Sequence, residues 1–139
     1  MKTCAGILLY KDRQVFLAHP GGPFFAKRDN AWGIPKGEQN PGEGLIDTAV
    51  REFKEETSIT VGSDPKESLL DLGFVKQSNK IVYCWGVEYK FDDIPKIKSN
   101  LSKFGWPEID QARFFPLDIA LQKILPAQKP FLERLASLV

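Results

Sequence analysis

The sequence has little net charge and no long apolar run. Its 19 Lys and Arg residues nearly balance 18 Asp and Glu residues, for a formal net charge of +1. Such a balance leaves no broad basic surface, so we expect no binding to long DNA or RNA. No stretch approaches the roughly 20 apolar residues of a membrane-spanning helix, and the apolar run near Met1 is too short for a signal peptide. We therefore expect a cytoplasmic protein without a membrane partner.

Cysteine and histidine are also scarce. The two cysteines, Cys4 and Cys84, lie in separate strand-like apolar segments without the spacing of a metal site. This placement favours small buried core residues in a reducing compartment. His19 is the single histidine. At the end of a strand we expect it to be structural, and a role in the chemistry is the less favoured alternative.

The length and composition predict one domain. The chain has 139 residues, of which 42% are hydrophobic and 12% aromatic, enough for a single compact domain over 1–139. The segments predicted as strands are 3–10, 14–18, 69–77, 80–90 and 108–116; helices are predicted at 117–125 and at 130–138, where Phe131, Leu135 and Leu138 share one side. With a further helix inside 37–59, this mixture predicts an α/β (α+β) sandwich.

Turn residues divide the predicted strands into two hairpins, the first of which turns at the polar segment Lys11-Asp12-Arg13. His19 and Pro20, with the glycines that follow, are expected to end the second strand at Ala18. Ser78 and Asn79 form a plausible two-residue connection in the later hairpin. The strand after them is apolar on both faces, so we expect it to be central. The exception is a charged residue near its end, either a metal ligand or a solvent-exposed group: Glu88.

The segment 37–59, GEQNPGEGLIDTAVREFKEETSI, carries the most informative pattern. Ile46, Val50 and Phe53 recur at helical spacing, which predicts a helix with one apolar stripe. Three acidic residues fall on roughly the opposite side, namely Glu52, Glu55 and Glu56. Like charges three and four residues apart on a helix destabilise it by a few tenths of a kcal/mol. Some binding partner is expected to offset that repulsion.

A hard divalent cation is one such partner. Between positions 43 and 56 there are five acidic and two basic residues, a local balance of −3. Mg²⁺ prefers oxygen ligands, and it usually binds through one or two carboxylates together with substrate phosphates. A simply solvated helix face is the alternative that these glutamates alone leave open.

The whole segment resembles the signature of the Nudix hydrolases (MutT-like). That signature reads G, five residues, E, seven residues, then R-E-apolar-x-E-E-x-G-apolar. The matching positions are Gly37, Glu43, Arg51, Glu52, Phe53, Glu55, Glu56 and Ile59. Ser58 stands where the signature has glycine, at the end of the helix where glycine supplies a left-handed backbone. The departure concerns the exit of the helix and none of the carboxylates.

The resemblance implies a fold, a cofactor and site residues. It implies a Nudix-type α/β/α sandwich, with a mixed sheet between the signature loop-helix and the terminal helices. It also implies hydrolysis of a nucleoside diphosphate linked to another group, with Mg²⁺ or Mn²⁺. The implied metal ligands are Glu52, Glu55, Glu56 and the carbonyl of Gly37. Glu43 would orient the start of the helix or the residues that support the metal ligands, and Arg51 would hold the carboxylates in place.

A carboxylate is needed to accept a proton from the attacking water. The predicted catalytic set is Glu55, Glu52 and Glu108. Within it, Glu55 is the preferred base, and Glu108 resembles the later acid of the dinucleoside polyphosphate hydrolases. Both assignments stay open at this point.

Aromatic and basic residues outside the signature predict the substrate contacts. Phe25 and Arg28 share the loop after the second strand, and an aromatic ring with a guanidinium suits a nucleotide. Hydrophobic packing beneath the loop is the alternative. Lys36, expected in a loop beside a glycine, is suited to phosphate, whereas Trp32 is expected in the core. Trp106, in the irregular segment 91–107, is a candidate for stacking on the base.

The lead-in Trp32-x-x-Pro35-Lys36-Gly37 resembles that of Nudix enzymes acting on diadenosine polyphosphates. A small nucleotide is therefore the expected partner, and a dinucleoside polyphosphate the preferred substrate. Nucleoside triphosphates, ADP-ribose and nucleotide sugars are the alternatives. A nucleotide-binding module without turnover is a further alternative, which the presence of every signature carboxylate disfavours.

Overall fold

The computed structural model describes residues 1–62, 68–90 and 109–139. The strands in these ranges are β1 (Lys2–Lys11), β2 (Gln14–Pro20), β3 (Lys36–Glu38), β4 (Leu70–Gln77), β5 (Lys80–Glu88) and β6 (Ile109–Pro116). The helices are α1 (Leu45–Thr57), α2 (Leu117–Lys123) and α3 (Lys129–Leu138), and a 3₁₀ turn at Pro126–Gln128 precedes α3. Among the described residues, no helix has both the length and the apolar character that a membrane crossing requires.

The strands form one mixed sheet in the order β4-β5-β1-β2-β6. β1 runs parallel to β5 from Lys2 to Tyr10. Its other edge is shared, because β2 pairs with it at Tyr10 and Lys11 and β3 pairs with it at Cys4 to Gly6. β2 therefore separates from β1 after the hairpin, and β3 lies against the central strand beyond that point.

Both predicted hairpins are confirmed. Asp12 and Arg13 connect β1 to β2 with positive φ angles of 49° and 63°, as a two-residue turn between right-twisted strands requires. Ser78 and Asn79 connect β4 to β5, with Ser78 at φ 52°. β5 pairs with both β4 and β1, so its predicted central position is also confirmed. Glu88, at the end of β5, is exposed.

Helices cover both faces of the sheet. On one face, Ile7 and Leu9 of β1 pack with Phe53 of α1. On the other face, Leu8 packs in a cluster with Leu132 and Leu135 of α3. This alternation along β1 buries both faces and gives the predicted α/β/α sandwich. Three further residues predicted in the core are buried there: Cys4, Cys84 and Trp32.

Two backbone predictions are wrong. β2 does not end at Ala18, because His19 pairs with Gln111 and Pro20 pairs with Ile109 of β6, with a register shift between the two pairs. Proline lacks an N–H donor, but a register irregularity next to an edge strand tolerates it. Lys36 lies in β3 and not in a loop, since the short segment finds backbone partners on β1.

The apolar stripes of two helices are also placed differently from the prediction. In α1 the buried stripe runs through Ala49, Phe53 and Glu56, and Ile46 is exposed. The small side chain of Ala49 permits the helix to approach the sheet at that point. In α3, Leu132 is buried and Leu138 is exposed. Helical spacing alone does not decide which of two neighbouring stripes faces the sheet.

Candidate functional site

The turn before α1 is organised by Glu43. The N-cap of the helix is Gly44, which has no side chain to cap the first turn. Instead, Oε1 of Glu43 accepts hydrogen bonds from Oγ1 of Thr48 at 2.7 Å and from the backbone N–H of Asn40 at 3.2 Å. One carboxylate thus joins the loop to the first turn of the helix, where backbone N–H groups lack helical partners.

Arg51 is the hub of a network of carboxylates. Its Nε and Nη2 donate to both oxygens of Glu43 at 2.8 and 3.0 Å. Its Nη1 donates to Oε1 of Glu52 at 2.8 Å and to Oε1 of Glu55 at 3.3 Å, and Nη2 also donates to the carbonyl of Glu38 at 3.0 Å. We call Glu43, Arg51, Glu52 and Glu55 the arginine–glutamate network.

The network changes the ionisation of its members. The Arg51 guanidinium, followed by the hydroxyl of Thr48, lowers the pKa of Glu43 to about 2. The hydrogen bonds from Arg51 to Glu43 raise the pKa of Arg51, with smaller contributions from Glu52 and Glu55. Arg51 is therefore a permanent cation, and it offsets the repulsion between neighbouring glutamates.

Gly37 lies directly against Glu52. A Cβ atom at Gly37 would lie 1.9 Å from Cδ of Glu52 and 2.2 Å from each of its carboxylate oxygens. Only glycine allows this approach, because any side chain would overlap the carboxylate. Pairing of β3 with β1 therefore brings the backbone of Gly37 next to an acidic residue of α1.

The three glutamates of α1 have different environments. The side chain of Glu52 is 15% exposed and that of Glu55 is 41% exposed, whereas Glu56 is only 4% exposed. The prediction that all three lie opposite the buried stripe is wrong for Glu56. Within the described ranges, no three His, Cys, Asp or Glu side chains are grouped closely enough to share a metal ion. In this arrangement, Arg51 takes up carboxylate oxygens of Glu52 and Glu55.

Ser58 adopts the backbone that the signature glycine would supply. Its φ and ψ angles are 65° and 10°, in the left-handed region, and its N–H donates to the carbonyl of Lys54 at 2.8 Å. The exit of the helix is thus of the glycine type without a glycine.

A cavity of about 470 Å³ lies next to this segment. Three of the predicted substrate residues line it, namely Phe25, Arg28 and Lys36, together with Glu56 of α1. The lining that the structure describes does not include Glu52 or Glu55. We call this space the substrate cavity, after the role predicted for these three lining residues. Glu108 and Trp106 lie outside the described residues.

Lys80 is a lining residue that the sequence reasoning missed. Burial, and then the nearby ammonium group of Lys80, lower the pKa of Lys36 to about 8. Two ammonium groups that face one cavity favour an anionic ligand, since an anion relieves their repulsion. Nothing in the sequence next to Lys80 signals this role, because it is the pairing of β5 with β1 that places it near Lys36.

Gln128, in the 3₁₀ turn, is a second residue that was missed. It is fully buried. Its Oε1 accepts from the backbone N–H of Ile34 at 2.9 Å, and its Nε2 donates to Oε1 of Gln77 at 2.7 Å. A Cβ at Gly33 would lie 2.9 Å from Oε1 of Gln128, so the lead-in segment must be glycine at that position. Gln128 thus fixes the wall that carries Lys36.

The loop of residues 21–31 forms another wall. Phe24 is 72% exposed and packs edge-on against Phe25, with 4.8 Å between ring centroids. The guanidinium of Arg28 lies 4.9 Å from the centre of the Phe24 ring. Hydrophobic packing beneath the loop was the alternative role for its aromatic residues. Phe24 is too exposed for that role.

Comparison with known proteins gives one family and one fold. The model of the NUDIX domain family matches residues 2–135. The asymmetrical bis(5'-nucleosyl)-tetraphosphatase of Rattus norvegicus is 30% identical over an 89-residue alignment, and the match covers 58% of this chain and 58% of that relative. The match therefore spans less than two thirds of the length of that relative.

Solved structures of three bacterial and nematode proteins share the fold. A C. elegans Ap4A hydrolase binary complex has a TM-score of 0.73 at 20% identity, covering 99% of this chain and 97% of the other. The E. coli dihydroneopterin triphosphate pyrophosphohydrolase has a TM-score of 0.73 at 14% identity, covering 99% and 96%. A MutT NUDIX hydrolase from Burkholderia pseudomallei has a TM-score of 0.69 at 18% identity, covering 96% of each chain.

Proposed function

Because this chain belongs to the NUDIX domain family, we propose that it hydrolyses the pyrophosphate linkage of a dinucleoside polyphosphate with the help of a divalent cation. One observation carries the proposal. Glu56, from the helix of the signature, lines the same cavity as Lys36 and Lys80. A cation held by the glutamates and a phosphate chain held by the lysines would therefore be neighbours.

The chemistry of the donor set suits a hard divalent cation, although no three of its side chains within the described ranges are grouped around one point. Glu52, Glu55 and Glu56 offer carboxylate oxygens within two turns of α1, and the carbonyl of Gly37 is a further oxygen donor on the strand that Glu52 touches. Mg²⁺ and Mn²⁺ both favour such ligands. When bound, such an ion polarises phosphate oxygens and lowers the pKa of a bound water.

Arg51 and Glu43 prepare the carboxylates. Arg51 donates to Glu52 and Glu55 at 2.8 and 3.3 Å, which reduces the repulsion between them in the absence of a cation. Glu43 accepts two hydrogen bonds from Arg51 and so restricts the guanidinium to one position. We assign both residues to positioning, since they act through the glutamates.

Glu55 is the residue that we assign as the general base. With 41% of its side chain exposed, it is the most accessible of the three glutamates of α1, and a base must reach the water whose proton it accepts. Glu108 is the alternative base. Replacing each by glutamine separates the two assignments. The variant that lacks the true base should have the lower kcat.

The substrate cavity supplies the nucleotide contacts. Its volume of about 470 Å³ is within the range of roughly 300–1,000 Å³ usual for small-molecule sites. Lys36, Lys80 and Arg28 line it with positive charge, which suits a phosphate chain. Phe25 adds an aromatic face for a base.

The choice of substrate class rests on two supports. One is the lead-in Trp32-x-x-Pro35-Lys36-Gly37. The other is the likeness to proteins named as a bis(5'-nucleosyl)-tetraphosphatase and an Ap4A hydrolase. Nucleoside triphosphates, ADP-ribose and nucleotide sugars are the second candidates. The shared fold with a dihydroneopterin triphosphate pyrophosphohydrolase favours a triphosphate among them.

A nucleotide panel tests the proposal. Diadenosine tetraphosphate, nucleoside triphosphates, ADP-ribose and a nucleotide sugar would each be incubated with Mg²⁺, and the products separated by chromatography. We expect diadenosine tetraphosphate to have the highest kcat/KM, EDTA to stop its hydrolysis, and added Mg²⁺ to restore it. If the protein binds one of these compounds but hydrolyses none of them, the non-catalytic module is favoured instead. Hydrolysis that continues in EDTA would contradict the role of the cation.

A further inference from the structure

We propose that His19 positions the 21–31 loop against the substrate cavity by donating hydrogen bonds from both of its ring nitrogens. This loop follows β2 and brings Phe25 and Arg28 to the cavity. The effect of His19 on catalysis rests on the proposed function, whereas its hydrogen bonds can be measured without any substrate.

The imidazole of His19 bridges the sheet and the loop. Its Nδ1 lies 2.8 Å from Oδ1 of Asp110 on β6, and its Nε2 lies 2.7 Å from the backbone carbonyl oxygen of Arg28. His19 is 4% exposed, and the ring of Trp32 packs against it edge-on with 5.1 Å between centroids. Both distances are those of well-formed hydrogen bonds.

Both partners of the imidazole are acceptors. Neither an ionised carboxylate nor a backbone carbonyl has a proton to donate. A neutral imidazole carries one N–H and one lone pair, so it satisfies only one of the two contacts. The two contacts together therefore require an N–H on each nitrogen, which is the positively charged imidazolium form of His19.

Asp110 supplies the charge that this form needs. A smaller cavity of about 270 Å³ beside the ring is lined by three cationic side chains, Lys27, Arg28 and Arg113, and by one acidic side chain, Asp29. In these surroundings, a buried imidazolium depends on the carboxylate of Asp110 at 2.8 Å. An asparagine at 110 would keep an acceptor for Nδ1 but would remove the countercharge.

The bond to Arg28 acts where the loop meets the substrate cavity. The N–H of Arg28 donates to the carbonyl of Phe25 at 2.9 Å, so the two lining residues belong to one turn. The guanidinium of Arg28 lies 4.9 Å from the centre of the Phe24 ring. Holding the carbonyl of Arg28 in place thus fixes the backbone that presents these aromatic and cationic groups.

The 21–31 loop has a second contact with the rest of the protein, which can be compared with the contact through His19. Lys123 of α2 forms an ion pair with Asp29, whose side chain is 71% exposed. An exposed ion pair contributes little to stability. The buried contact through His19 should therefore hold the loop more strongly than the exposed pair.

Nitrogen NMR tests the protonation state directly. His19 is the only histidine of the chain, so labelling histidine with ¹⁵N gives ring signals from one residue. At neutral pH and without nucleotide, we expect both ring nitrogens to show the signals of protonated nitrogens. In Asp110→Asn we expect at least one of them to lose its proton. A neutral ring in the unaltered protein under these conditions would overturn the proposal.

Kinetics test the effect on the substrate. In His19→Gln, KM for diadenosine tetraphosphate should rise about tenfold with kcat within about twofold, because the loop carries binding groups and none of the glutamates of α1. Asp110→Asn should raise KM in the same direction. Lys123→Ala is the matched control and should leave KM within about twofold. An unchanged KM in folded His19→Gln, or a fall in kcat alone, would contradict positioning.

Limited digestion separates this inference from the proposed function. Trypsin cleaves after Lys27 and Arg28, and both bonds should be cut faster in His19→Gln and Asp110→Asn than in the unaltered protein or Lys123→Ala. If no nucleotide is hydrolysed, the proposed function fails, and digestion with NMR still decides whether His19 holds the loop. Equal digestion rates overturn the inference. Should His19→Gln fail to fold, the nearly isosteric Asp110→Asn provides the same comparisons.

Discussion

The arginine–glutamate network and the substrate cavity are built in opposite ways. The network draws its charged side chains from one loop and one helix, between Glu43 and Glu55. The cavity draws its lining from Ala18 to Gln128, across several strands and a loop. The first is a local arrangement that helix geometry produces, whereas the second exists only once the sheet has formed.

The difference shows which residues a sequence reveals. All members of the network lie between positions 43 and 55, and Arg51 and Glu55 are one helical turn apart, so their neighbourhood follows from the local sequence. Lys36 and Lys80 are 44 positions apart in the numbering, and they face one cavity because β3 and β5 both pair with β1. Because the network is proposed to serve the chemistry and the cavity to bind the substrate, mutations in the network should lower kcat, whereas mutations in the cavity should raise KM.

The largest effect is expected in the glutamates. Glu55→Gln should lower kcat about 10²- to 10⁴-fold, the range that loss of an acid–base group usually costs. Glu56→Gln should also lower kcat, because it removes a proposed cation ligand. Asp47→Asn, at an exposed position in the first turn of the same helix, is the control and should retain activity. Steady-state kinetics with circular dichroism would check this, and full turnover in one glutamine variant would remove the glutamate that it replaces from the chemistry.

Gly37→Ala tests the close approach between β3 and α1. The added Cβ would overlap the carboxylate of Glu52, which it would meet at 1.9 Å. Displacing a ligand by about 1 Å can cost roughly 10²-fold in rate, so kcat should fall by about that amount. Gly44→Ala is the control, because its Cβ would meet only the flexible carboxylate of Asp47 at 3.1 Å. Equal kcat values for the two variants would contradict this account.

Lys80→Gln tests the cavity side of the comparison. Removing one ammonium group should raise KM for diadenosine tetraphosphate about tenfold or more, as the loss of a charged hydrogen bond does, and should change kcat much less. Lys76→Gln, on the other strand of the same hairpin and exposed, should leave KM unaltered. A fall in kcat without a change in KM would place Lys80 with the network instead.

The smallest effect is expected at the exit of α1. Ser58→Gly should stabilise the protein by up to about 1 kcal/mol, because a side chain in the left-handed region is strained and glycine is not. Urea unfolding would measure the change, with turnover expected to stay the same. A loss of stability would mean that the serine side chain contributes more than its backbone strain costs.

Prediction from the sequence succeeded where one local pattern was sufficient. The two hairpins follow from their turn residues, and the sandwich follows from the order of strands and helices together with the resemblance to the Nudix signature. It failed where the sequence allowed two neighbouring faces of a helix to be the buried one. The buried stripe of α1 runs through Ala49 and Glu56 instead of Ile46, since the helix can rotate by one position and still bury Phe53.

The strand β3 illustrates a second kind of failure. Lys36, Gly37 and Glu38 have no strong strand propensity, and they form a strand because the edge of β1 is open at Cys4 to Gly6. Gly6 permits this pairing, since a Cβ there would lie 2.4 Å from the carbonyl oxygen of Pro35. Backbone pairing between distant segments cannot be read from either segment alone.

The amino-acid sequence by itself determined the family, the order of the main strands and helices, and the grouping of acidic residues on α1, because each depends on residues close together in the chain. Only the tertiary structure decided that Glu56 turns inward, that Lys80 joins Lys36, and that His19 reaches both Asp110 and the loop. Those contacts depend on which strands pair and in which register. A shift of one residue in a strand reverses the face of every side chain.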